Sequence, residues 1–79
     1  MNKLLIVSNT EQDYNKIANL TYYNLKRYDC IWIYTINQIL PRKDGIVILT
    51  KSSKKLPEFK SIINKVVSRG WQVIDFASV

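Results

Sequence analysis

The sequence predicts an α+β domain built in the order β-α-β-β-α-β. Four short runs rich in β-branched and aromatic residues are typical of strands. Two longer stretches carry apolar residues at steps of three and four, which is typical of helices that bury one side. With only 79 residues, the chain is expected to form a single domain, residues 1–79, around one modest core.

The amino-terminal residues predict the first strand and the first helix. Residues 3–8 are predicted to form the first strand, which is apolar throughout its middle. Either Ser8 with Glu11 or Thr10 with Asp13 then has the spacing of a capping box, which begins a helix. That helix is expected to bury a stripe of side chains at helical spacing: Tyr14, Ile17, Ala18, Thr21, Leu25 and Tyr28.

The rest of the chain predicts three strands and a second helix. The strands cover residues 30–36, 45–50 and 71–77, and the loop 37–44 separates the first two of them. Pro57 suits the first turn of the second helix because proline lacks the N–H that is unpaired there. Gly70 is expected to close that helix in a left-handed conformation. The buried stripe of the helix is predicted to contain Phe59, Ile62, Ile63, Val66 and Val67.

Two folds have this order of elements. In a ferredoxin-like two-layer sandwich, residues 37–44 turn a hairpin and the sheet order is 4-1-3-2. In a small Rossmann-like parallel α/β sheet, the same residues cross over to a parallel neighbour. Eight residues are short for a crossover, and two helices cover four strands poorly, so we expect the sandwich. The nearly continuous apolar character of the strands favours the parallel sheet instead.

Composition excludes most catalytic sites. The chain has no histidine, one cysteine and two glycines, so it lacks imidazole chemistry, a thiolate metal cluster and a glycine-rich phosphate loop. Its carboxylates show no pair placed for acid–base work. We therefore expect no enzyme activity, no cofactor and no metal. The short apolar runs predict no signal peptide and no membrane span, and the lone Cys30 fits a reducing, cytoplasmic location.

The sandwich predicts an apolar surface on the side of the sheet away from the helices. Alternation along the strands places seven candidate partner-binding residues there: Trp32, Tyr34, Val47, Leu49, Trp71, Val73 and Asp75. A monomer seldom leaves such a surface in water, so we expect a protein partner or a second copy of the chain to cover it.

The sandwich also gathers basic residues at one end. Net charge is +6, and the predicted phosphate-binding or acidic-partner residues are Lys3, Lys26, Arg27, Lys51, Lys54 and Lys55. In the parallel alternative this cluster dissolves, and much of the charge serves solubility. Residues 8–10, Thr35 and residues 50–55 would then line the carboxyl edge of the sheet, the usual ligand site of that architecture.

These patterns predict a binding protein. We expect a small non-catalytic protein-binding module that acts through the apolar face and basic rim. Its size and composition are typical of an accessory or inhibitory protein of a phage or other mobile element. The alternative is a DNA- or RNA-binding protein that contacts phosphates through its lysine-rich end.

Overall fold

Strands and helices alternate along the chain. A computed structural model describes residues 2–24, 28–39 and 45–76, and for residues 2 and 21–24 only the backbone is considered. The elements are β1 (Asn2–Val7), α1 (Glu11–Asn24), β2 (Tyr28–Ile33), β3 (Ile46–Leu49), α2 (Phe59–Ser68) and β4 (Gln72–Asp75). Two 3₁₀ helices, Ile36–Gln38 and Lys51–Lys55, precede β3 and α2 respectively.

The four strands form one parallel sheet in the order β2-β1-β3-β4. Leu5 of β1 is in register with Ile31 of β2 and with Val47 of β3, and β4 extends the sheet beyond β3. The ferredoxin-like sandwich with sheet order 4-1-3-2 is therefore wrong, and the Rossmann-like alternative fits.

The length of the β2–β3 connection explains the error. The sequence pattern extends the second strand to residue 36, which leaves eight residues for the connection. In the structure β2 ends at Ile33 and β3 begins at Ile46, so residues 34–45 are available, and these twelve residues suffice for a crossover between parallel strands. Ile36 and Ile39 of this connection pack onto the sheet and so help the helices to cover it. Residues 40–44 lie outside the described part of the chain.

Apolar side chains cover both faces of the sheet. Alternation along each strand sends odd-numbered residues to one face and even-numbered residues to the other. The buried odd-numbered residues of the strands pack under α2 in one cluster, which contains Leu5, Val7, Ile33, Ile39, Val47, Leu49, Leu56, Ile62, Val66 and Trp71. The even-numbered ones pack under α1 in a second cluster, which contains Leu4, Ile6, Ile17 and Ile48. The strands read as continuously apolar because both of their faces are buried.

The placement of the helices on opposite faces follows from the direction of the crossovers. The chain moves from β1 to β2 in one direction across the sheet, and then back over β1 to β3 and on to β4 in the other. Crossovers of one hand that run in opposite directions lie on opposite faces. Consequently α1 covers one face, whereas α2 and the β2–β3 connection cover the other.

Several local predictions are confirmed and others are corrected. Gly70 has φ +76°, and N–H groups of Gly70 and Trp71 bond back to the carbonyls of Val67 and Val66, so the glycine closes α2 as expected. Pro57, however, precedes α2, which begins at Phe59. Val67 is 62% exposed rather than part of the buried stripe.

The predicted stripe of the first helix is only partly realised. Ile17 is buried, and Tyr14 and Ala18 pack beside it against the sheet. Tyr28 is instead the first residue of β2, where an aromatic side chain has high strand propensity. The side chain of Thr21 and all of Leu25 lie outside the described residues.

Substitution of Gly45 tests the packing where β3 begins. Gly45 has φ +149°, and an added Cβ would lie 2.9 Å from Trp71 Cζ3 and 3.2 Å from the carbonyl oxygen of Lys3. We expect Gly45→Ala to lower the free energy of unfolding by about 2 kcal/mol, through backbone strain and overpacking together. Urea denaturation measures this loss.

Gly70→Ala is the matched control for this prediction. Its φ is also positive, at +76°, but no atom lies within 4 Å of the added Cβ. Only backbone strain then applies, and the expected loss is about 1 kcal/mol. Equal losses in the two variants would contradict a steric contribution at Gly45.

Candidate functional site at the carboxyl edge of the sheet

The carboxyl ends of β1 and β3 form the point where the chain reverses its direction across the sheet. From β1 the chain goes first to β2 on one side, and it later returns to β3 on the other side. Both the N–H and the side-chain hydroxyl of Thr50 donate hydrogen bonds to the carbonyl oxygen of Val7, over 3.1 and 2.8 Å. In open parallel sheets such a switch point is where ligands usually bind.

Ser8 holds the loop that leaves β1. It is fully buried, and its N–H donates to the carbonyl oxygen of Ile33 over 3.2 Å. Its hydroxyl contacts the Thr10 carbonyl oxygen and accepts a hydrogen bond from the Thr10 N–H. The indole Nε1 of Trp32 donates to the Ser8 carbonyl oxygen over 2.9 Å. The buried polar groups of this turn are thus paired, which fixes the direction in which α1 starts.

Hydrogen bonds connect the start of α1 to the second 3₁₀ helix. Thr10 caps α1, because its hydroxyl accepts a bond of 3.2 Å from the N–H of Asp13. The Asp13 carboxylate accepts a bond of 3.1 Å from the N–H of Ser52, and the Ser52 hydroxyl accepts one of 3.0 Å from the N–H of Asn9. The loops after β1 and β3 therefore form one rigid rim.

An open cavity of about 350 Å³ lies between these two loops. Its lining residues are Thr10, Gln12, Asp13, Lys51, Ser52 and Lys55. Two lysines and one aspartate thus line the cavity, and the carboxylate of the aspartate already accepts a hydrogen bond from the N–H of Ser52. The first turn of α1, the positive end of the helix dipole, also lies at this end of the sheet. The cavity consequently favours an anion.

Three aromatic side chains lie on the other side of the β1–α1 loop. The rings of Tyr14 and Trp32 are stacked, with centroids 5.8 Å apart and planes inclined by 22°. Tyr34 meets Trp32 edge to face at 5.3 Å and is 49% exposed. Burial, followed by the nearby charges of Cys30 and Asp29, raises the pKa of Tyr14 above its usual value.

The basic residues expected at one end are separated in the structure. Lys3 lies near the start of β1 and forms a 2.7 Å salt bridge with Asp29, at the opposite end of the sheet from the cavity. Lys51, Lys54 and Lys55 stay together, exposed on the second 3₁₀ helix. Parallel β1 and β3 place these groups apart, whereas the predicted sandwich brought them together. Lys26 and Arg27 lie outside the described residues.

The apolar open face that the sandwich predicts does not exist in the parallel sheet. Val47 and Leu49 are fully or almost fully buried under α2, and Trp71 is only 5% exposed. Trp32 is half-buried beside α1. The remaining candidates are exposed at separate places: Tyr34 after β2, and Val73 and Asp75 on the edge strand β4. The predicted open face is wrong because a helix covers each face of the sheet.

The Rossmann-like alternative predicts much of the site from the sequence, but not all of it. Residues 8–10 and 50–55 line the carboxyl edge as that alternative predicts. Thr35 also lies at this edge, where the Gln38 side chain accepts a hydrogen bond from its N–H over 3.0 Å. Gln12 and Asp13 were not predicted as site residues, because their sequence pattern indicates only the start of a helix. The parallel sheet brings this helix start against the loop after β3.

Neither a metal cluster nor a membrane span is found in residues 2–24, 28–39 and 45–76. No group of three or more cysteine and carboxylate side chains there is arranged to hold a metal ion. Both helices within this part of the chain are too short or too polar to cross a bilayer.

Removal of the Thr10 cap tests whether the rim depends on the start of α1. We expect Thr10→Val to lower the free energy of unfolding by about 1 kcal/mol, because the N–H of Asp13 loses its acceptor. Thr10→Ser keeps the hydroxyl and is expected to retain most of the stability. Thermal or urea unfolding of the two variants measures the difference, and equal stability would contradict the role of the hydroxyl.

Comparisons with known proteins do not add a function to this geometry. Family models, curated protein sequences and solved structures contain no match to the chain.

Proposed function

We propose that the protein binds a phosphate-bearing ligand in the cavity at the carboxyl edge. The observation that carries this proposal is that Lys51 and Lys55 line a cavity located where the parallel sheet reverses its direction. Ligands of open α/β sheets usually bind at this position. Lysine is a common phosphate-binding residue because it offers a compact positive charge on a flexible stem.

Polar groups beside the lysines support the same ligand class. Thr10 and Ser52 bring hydroxyl groups to the cavity wall, and the amino end of α1 adds oriented backbone dipoles. The carboxylate of Asp13 opposes an anion, but the Ser52 N–H that donates to it offsets part of its negative charge. The net charge of +6 further favours the approach of an anion.

Binding without catalysis is proposed. The cavity wall contains one carboxylate, and the chain has no histidine. Binding of a protein partner or a second copy stays a prediction from the sequence. The cluster under α2 buries Val47, Leu49 and Trp71, which belong to the surface on which that prediction was based. Nucleic acid is one source of the phosphate groups, and a free nucleotide is another.

Titration with phosphate compounds tests the proposal. We expect saturable binding of inorganic triphosphate, measured by isothermal titration calorimetry at low and at physiological salt. Lys55→Gln is expected to weaken binding at least tenfold, because a hydrogen bond to a charged group contributes about 1.5–3 kcal/mol and ~1.4 kcal/mol corresponds to a factor of ten. Lys51→Gln should have a similar effect.

Lys54→Gln is the matched control. This lysine lies in the same 3₁₀ helix and is also exposed, but it does not line the cavity. Lys54→Gln is expected to change affinity less than about threefold at physiological salt, because dissolved ions screen a charge that does not contact the ligand. Equal effects of Lys54→Gln and Lys55→Gln would indicate diffuse attraction by the surface. Absence of saturable binding at low salt would contradict the proposal outright.

A further inference from the structure

We propose that the ligand carries a nucleobase, which stacks on Tyr34 while its phosphates contact Lys51 and Lys55. This inference rests on the proposed phosphate site and adds a second contact point to it. Single-strand-binding proteins combine aromatic platforms with positively charged grooves in the same way.

Tyr34 is an exposed ring on a firmly held support. It follows β2 directly at the carboxyl edge, and nearly half of its surface is accessible. Its N–H donates to the Gln38 side-chain oxygen over 2.7 Å, while the Gln38 amide nitrogen donates to the carbonyl oxygen of Trp32 over 2.9 Å. A ring whose backbone is held in this way loses little freedom when a base stacks on it.

Trp32 connects this ring to the phosphate cavity. Its indole packs between Tyr14 and Tyr34, and its Nε1 bonds to the carbonyl oxygen of Ser8. The Ser8 hydroxyl lies 3.5 Å from the hydroxyl of Ser52, which lines the cavity. A continuous chain of contacts therefore runs from the aromatic side chains to the cavity wall.

The separation of the two contact points suits one nucleotide with its phosphates, or adjacent residues of a single strand. Tyr34 follows β2 and Lys51 follows β3, and both strands are neighbours of β1. Two interstrand spacings separate the backbones of β2 and β3 by roughly 10 Å. Asn9 and Thr10, both exposed, lie between these points, so a ligand would cross the amino end of α1, where phosphate groups are favoured.

The occupant of the aromatic end is inferred from charge as well as shape. A purely apolar ligand would make no favourable contact with the lysines, and an inorganic phosphate bound to the lysines would not reach Tyr34. Only a molecule with an aromatic plane at one end and phosphate groups at the other uses both. A nucleoside triphosphate and a short single-stranded oligonucleotide share this chemistry.

Parallel titrations with three ligands test the inference. Inorganic triphosphate, a nucleoside triphosphate and a short oligothymidylate are compared by calorimetry and by quenching of tryptophan fluorescence. We expect at least one base-bearing ligand to bind roughly tenfold more tightly than inorganic triphosphate, because stacking on an aromatic side chain strengthens binding by this order. Tighter binding of the oligonucleotide, with a steeper salt dependence, would identify nucleic acid as the source, and tighter binding of the nucleoside triphosphate would identify the free molecule.

Substitutions at Tyr34 separate stacking from a general effect on the fold. Tyr34→Leu removes the ring but keeps an apolar side chain, and Tyr34→Phe keeps the ring. We expect Tyr34→Leu to remove most of the advantage of the base-bearing ligand and to leave the affinity for triphosphate unchanged. Tyr34→Phe should retain the advantage. Thermal unfolding verifies that both variants fold.

The outcomes distinguish this inference from the proposed function. If triphosphate binds but a base adds no affinity, or if Tyr34→Leu weakens all ligands equally, the stacking inference is wrong and the phosphate site stands. If no phosphate compound binds, both are wrong.

Discussion

The crossover from β2 over β1 to β3 is the constraint on which the rest of the molecule depends. It makes β1 the central partner of two parallel strands and requires apolar side chains on both faces of the sheet. Burial on both faces is the dominant favourable contribution in a chain this small, because each central strand residue is then removed from water. Ile36 and Ile39, within the connection itself, add to that burial.

The same crossover brings polar groups together at the carboxyl edge of the sheet. Loops that follow β1 and β3 come together only because these strands are parallel neighbours, and their polar groups then pair with each other. Asp13, Ser52 and Asn9 satisfy one another across a gap of some forty residues in sequence. The result is a rim that is rigid where it is buried and charged where it faces solvent, as a preorganised binding site requires.

Local patterns predicted the elements well and the topology poorly. The cap at Thr10 and the closing glycine at Gly70 depend on neighbouring residues alone. The sequence predicted the glycine, and it offered Thr10 as one of two candidate caps. The end of β2 was not visible, because Tyr34, Thr35 and Ile36 all have high strand propensity. A shift of that boundary from residue 36 to Ile33 lengthens the connection enough to change a hairpin into a crossover. Propensity is a weak guide wherever tertiary contacts decide where a strand stops.

The amino-acid sequence by itself determined the number and order of strands and helices, the apolar character of the strands and the absence of histidine chemistry. Only the tertiary structure decided which faces are covered and which polar residues meet. It buried Val47 and Trp71, separated Lys3 from Lys51, and brought Asp13 to Ser52. The physical reason is that hydrophobic periodicity and helix capping depend only on residues within one segment of the chain. The direction of a strand depends instead on its connection and on the burial available to both of its faces.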